Sequence, residues 1–74
     1  MNETIQETNK IFIEIVRSQN DHFYLSVSDL IGKYDYFLMF HTLKDCLDCL
    51  RKLSIPDFSL SELLEKGHIE INEK

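Results

Sequence analysis

Two short amphipathic helices are written into the second half of this chain with their punctuation intact. Thr42-Leu43-Lys44-Asp45 opens one and Ser59-Leu60-Ser61-Glu62 opens the other, with Pro56 between them and Gly67 after the second. Each opening places a hydroxyl at the N-cap, where it accepts from a backbone N–H, and a carboxylate three residues on that can reach back. Beyond Thr42, Leu43, Cys46, Leu47, Leu50 and Leu53 recur at helical spacing and form one apolar stripe. Asp45 comes early and Arg51 and Lys52 come late, the order a helix dipole favours. Ile55-Pro56 then stops the helix. Phe58 and Leu63 stand at the spacing of a hydrophobic staple around the Ser59 cap. Leu60, Leu63 and Leu64 are expected to bury the second helix, and Gly67 to close it in a left-handed turn.

The first half reads best as strands. Ile11–Val16 is rich in β-branched residues, with Ile11, Ile13 and Ile15 on one face. Ser18-Gln19-Asn20-Asp21 supplies turn residues. His22–Val27 then alternates Phe23, Leu25 and Val27 against His22, Tyr24 and Ser26. After Gly32-Lys33, a third strand over Tyr34–Phe40 places Tyr34, Tyr36, Leu38 and Phe40 on one side and Phe37 and Met39 on the other. His68–Ile71 alternates as a short last strand. Residues 1–9 read as a polar arm and 72–74 as a tail.

These elements predict a single α+β domain over residues 1–74. It is a small antiparallel sheet, a three-stranded meander plus a short C-terminal strand, covered by two short helices. The alternative is an all-α bundle in the N-terminal half, with Thr4-Ile5-Gln6-Glu7 as a further capping box and a second helix over 29–40. The density of β-branched residues argues against it. Because the third strand is apolar on both sides, two helices cannot cover all of its surface, and a homodimer is expected.

Size and charge narrow the function. A 74-residue chain has little interior left for a substrate cavity once its own core is filled, so an enzyme is not expected. Thirteen acidic against eight basic residues give a net charge of −5. Direct binding to nucleic acid or to an anionic membrane is disfavoured, since both need a basic footprint. Lys44, Arg51 and Lys52 are the only basic cluster, and Asp45 and Asp48 interleave with it. Met1-Asn2-Glu3-Thr4 has no basic start and no long apolar run follows, so no export signal is expected and the chain reads as cytoplasmic.

Chemistry-bearing motifs are sparse. Cys46-Leu47-Asp48-Cys49 has a spacing that could share a metal or cycle through a disulfide. His41 extends it to a three-ligand set, His41, Cys46 and Cys49, but no second cysteine pair completes a zinc site. Cys46 also lies on the buried stripe, where it serves as a small hydrophobe. The two glycines build no phosphate-cradling loop, and no nucleophile elbow accompanies His22, His41 or His68. No cofactor is expected.

The acids and aromatics remain. Asp21, Asp29, Asp35, Asp45, Asp48 and Asp57 recur through the middle of the chain. They are either a solvated surface or, read more sharply, a row at phosphate-like spacing. Tyrosine is enriched at interface hot spots. Tyr24, Asp29, Tyr34, Asp35, Tyr36, Asp45 and Asp48 are therefore the candidate partner-binding residues. In composition alone the chain resembles the small accessory proteins of phages and mobile elements from AT-rich bacteria. That resemblance implies an inhibitor of a nucleic-acid-handling or defence protein of the host cytoplasm, a basic partner held through acidic and aromatic surface by DNA mimicry. The alternative function is a small metal- or thiol-dependent module using Cys46 and Cys49.

Overall fold

Alternating apolar residues turn the first half of the chain into strands and leave the helices to close one side. The computed structural model describes residues 9–73. In order along the chain lie β1 (Asn9–Arg17), β2 (Phe23–Asp29), β3 (Asp35–Phe40), α1 (Leu43–Lys52), α2 (Leu60–Lys66) and β4 (His68–Glu73). The architecture is α+β, and residues 11–16 and 35–40 are strands where the helical alternative required helices. The Thr4 capping box lies outside the described residues, as does the arm up to Thr8. Asn9 is no arm residue: it opens β1 and is buried. Asn72 and Glu73 likewise belong to β4 and not to a tail.

The four strands form one antiparallel sheet in the order β3-β2-β1-β4. A short turn joins β1 to β2. Its Ser18 Oγ accepts from the backbone N–H groups of Asn20 and His22, at 3.3 and 3.2 Å, and Asp21 takes the left-handed conformation at φ 61°. The chain then crosses from the β3 edge over one face through α1 and α2 and returns as β4 on the opposite edge, beside β1.

Both helices start where their caps predict. Thr42 Oγ1 accepts from the Asp45 N–H at 3.1 Å, and Ser59 Oγ accepts from the Glu62 N–H at 3.2 Å. The Glu62 carboxylate turns to Lys66 Nζ, 2.9 Å away, one turn along the helix. Gly67 ends α2 at φ 84°, where its N–H meets the Leu63 carbonyl at 2.7 Å. Its own carbonyl accepts from the Ile15 N–H at 2.8 Å, which ties the helix end to β1.

Period-two alternation puts Ile11, Ile13, Leu25, Val27, Ile69 and Ile71 on the helix-covered face, all buried. Cys46 and Leu50 reach down from α1, which lies over β2 and β3, and Leu63 from α2, which lies over β1 and β4. Leu63 is the only buried residue of α2; Leu60 and Leu64 are exposed, so the expected three-leucine face is in fact a single anchor. The reason is that α2 has only seven residues and meets the sheet along one line. Tyr34 does not start β3. It ends the preceding loop and folds into the core.

Candidate protein-interaction surface

The same alternation that fills the core delivers the opposite residues to a face that no described element covers. Following the register, one row across this face is Met39, Tyr24 and Val16, and the next is Phe37, Ser26, Glu14 and His68. A third row is Asp35, Ser28, Phe12 and Glu70. The face is therefore divided. Its part around the row of Met39, Tyr24 and Val16, with Phe37 beside it, is apolar and aromatic, while the rest carries Asp35, Glu14, His68 and Glu70, with Lys10 Nζ 3.5 Å from the Glu70 carboxylate.

Exposure marks the apolar half as unusual. Phe37 is 72% exposed, and Met39 and Val16 are each 46% exposed. The Tyr24 ring stacks on Phe37 with centroids 5.7 Å apart and planes 15° from parallel, so the two rings form one rigid platform. Scattered apolar residues on a surface need no explanation, but a contiguous aromatic patch beside polar residues is the signature of a docking site.

Only two of the seven residues chosen from sequence, Tyr24 and Asp35, lie on this face. Tyr36 points to the other side of β3, and Asp45 and Asp48 lie on α1, behind the sheet. Tyr34 is buried, with its hydroxyl 3.5 Å from the Ser54 carbonyl. Asp48 is held by Lys44 Nζ at 3.1 Å and approached by Arg51 at 3.6 Å. The Lys44 hydrogen bond is the main reason its carboxyl sits below the ordinary value. Phe37, Met39, Val16 and Phe12 lie on this face as well. The double-sided apolarity of β3 signals Phe37 and Met39 in the sequence, whereas the place of Val16 and Phe12, on β1, follows from the register.

Asp29 is a structural acid. It accepts from Asn9 Nδ2 at 2.9 Å and from the backbone N–H groups of Lys33 and Tyr34 at 3.1 and 3.2 Å. Asn9 in turn accepts from the Leu30 N–H at 3.2 Å. Desolvation pushes the Asp29 carboxyl up, but the bonds from Asn9, Tyr34, Gly32 and Lys33 together outweigh it, and the net shift is downward. A carboxyl whose folded value is depressed adds stability above its unfolded value, about 3.9, and that stability is lost as pH falls through the folded value. Asp29→Asn should therefore be less stable than the parent at pH 7, with the gap narrower at an acidic pH below the ordinary carboxylate range, as the pH falls through the folded value. Urea unfolding at both pH values measures this, and a gap of equal size at both would refute the assignment.

The thiol and metal alternatives find little to work with. Cys46 is fully buried; desolvation first, and then Cys49, pushes its thiol up, away from the reactive thiolate. The exposed His41 packs edge-on against His22, ring centroids 5.0 Å apart. Among the described residues no three His, Cys, Asp or Glu side chains converge as a metal site requires. Two shallow grooves lie over the helix-covered face. The larger, about 230 Å³, is lined by Leu47, Leu50, Ile55, Pro56 and Phe58, with Arg51 beside them. That is smaller than the roughly 300–1,000 Å³ of ordinary small-molecule sites. No helix among the described residues is long and apolar enough to cross a membrane.

Compared with protein-family models, curated proteins and solved structures, the chain matches none.

Proposed function

We propose that this chain is a non-catalytic protein-binding module that docks through the apolar half of its open sheet face. The observation that carries this reading is the exposed platform of Phe37, stacked Tyr24, Met39 and Val16. Asp35 and Glu14 lie beside the platform, and the chain as a whole carries −5. That charge steers it toward a basic protein. A nucleic-acid-handling protein of a host cell is the partner class this charge fits, with the chain acting as its inhibitor. DNA mimicry is not part of the reading. Asp29 accepts from Asn9 and the loop N–H groups, Asp48 pairs with Lys44 and Arg51, and Asp45 and Asp35 lie on opposite sides of the sheet, so the docking reading rests on the apolar platform instead.

The test is capture from a bacterial lysate by the immobilised parent and by a double variant, Phe37→Thr with Met39→Thr. Threonine keeps strand propensity while removing the apolar surface. One dominant basic partner, released by rising salt, is expected with the parent. Its Kd should rise by roughly 30-fold or more in the variant, the loss of a hot spot of about 2 kcal/mol. Equal capture by both proteins would sink the proposal.

A further inference from the structure

β3 is the edge strand beside the apolar platform, and beyond Asp35 at its start it carries few of the devices that keep sheet edges apart, judged on the described residues. Its sequence, DYFLMF, contains no Lys and no Pro. Its pairing with β2 runs without a skipped residue from Phe23↔Phe40 to Ser28↔Asp35, so no bulge twists the edge away. The opposite edge differs: β4 places His68, Glu70 and Asn72 on the open face. One edge is defended by polar side chains and the other is a regular, apolar template.

We propose that β3 pairs edge to edge with β3 of a second copy about a two-fold axis at Leu38, joining the two sheets into one. Two copies related by such an axis pair antiparallel, and matching faces require the axis to pass through a residue. An axis at Phe37 sets Asp35 against Met39 and carries His41 toward Lys33. An axis at Leu38 is self-complementary along the whole strand. Leu38 meets Leu38, Phe37 meets Met39, Tyr36 meets Phe40, and Asp35 meets His41 at both ends. Aromatic and aliphatic pairs oppose one another, and each acid faces an imidazole, the arrangement that stabilises cross-strand pairs.

Exposure agrees with this register on both sides of the sheet. On the open face Phe37 and Met39 are the exposed pair; on the helix side Tyr36, at 39%, has room for Phe40 of the second copy. The pairing uses the strand edge and leaves both open faces outward. It goes beyond the docking function and deepens it, since two apolar platforms become one continuous face across the two-fold axis.

Sedimentation equilibrium over a concentration series tests the register, with circular dichroism to confirm that each variant is folded. The parent should reach twice the mass of the chain. His41→Asp sets like charges against each other at both ends and should weaken the dimer by about tenfold or more. Asp35→Arg should weaken it too, by setting Arg against His41. The double variant Asp35→Arg, His41→Asp reverses each pair and should return the dimer to within about threefold of the parent. A parent that stays monomeric overturns the proposal, as does a dimer indifferent to His41→Asp or one the double variant fails to restore. Neither result touches the docking function. That function is read from the Thr variants of Phe37 and Met39, whereas the charge reversal leaves both residues in place.

Discussion

Leu63→Ala is expected to lower the unfolding free energy by about 2–5 kcal/mol, the range for truncating a fully buried leucine. Leu63 is fully buried and is the only buried residue of α2. A seven-residue helix has no independent stability, because nucleation is unfavourable and few bonds follow it. What holds α2 on the sheet is therefore chiefly the Leu63 contact and the Gly67 tie to Ile15, with Phe58 packed against the core just before the Ser59 cap. Domains of ordinary size have only about 5–15 kcal/mol in total, and a small one sits near the bottom of that range, so the loss is a large part of the whole. Leu64→Ala, one residue along and half exposed, is the control and should cost less than about 1 kcal/mol, the surface range. Urea unfolding of the three proteins decides the matter. Equal midpoints for the two variants would mean that α2 is not anchored as described.

That contrast between neighbouring leucines shows where reading from sequence stops. The helices were legible because their signals are local: a capping hydroxyl, a proline after the stripe, a glycine at the end. The strands were legible because β-branched residues alternate over Ile11–Ile15 and apolar Phe23, Leu25 and Val27 alternate in the next segment. Which leucine of α2 faces inward depends on how a short helix crosses the sheet, and no local pattern encodes that. The same holds for Asp29. Its partner Asn9 is 20 residues away in sequence, and the loop N–H groups converge on it only after β1 and β2 have paired. An acid that organises a loop looks like any surface acid until the register is known. The placement of the acids is non-local too: period-two and helical spacings send Asp35 and Asp45 to different sides of the sheet.

The open face follows a different logic. β3 carries large apolar residues on both sides, and that was visible from Phe37 and Met39 against Leu38 and Phe40. Topology decides the consequence. With both helices on the Leu38 side, Phe37 and Met39 are left exposed, and with β3 at an edge they are left exposed beside a backbone that no further described strand pairs. A core residue's hydrophobicity stabilises the fold, whereas that of Phe37 contributes little to it beyond the stack on Tyr24. Its truncation should leave the domain folded while removing the docking platform, which is why binding and stability separate there.

They do not separate at Tyr34, where alanine is expected to cost about 3–5 kcal/mol, the range for truncating a buried aromatic. Tyr34 is 6% exposed, and its backbone N–H is one of the donors that Asp29 gathers. The ring therefore joins the core to the loop that sets the start of β3, and losing it loosens both. Tyr34→Phe should change stability by less than about 1 kcal/mol, because the hydroxyl contact with the exposed Ser54 carbonyl is long, at 3.5 Å, and water can replace it. Tyr24→Ala should cost about 0.5–1.5 kcal/mol through its stack on Phe37, and Tyr36→Ala less than Tyr34→Ala because Tyr36 is already 39% exposed. Chemical unfolding ranks the three alanine variants directly. If Tyr34→Ala proved no worse than Tyr36→Ala, Tyr34 would belong on the surface as a binding residue, and the β2–β3 loop would have to be redrawn.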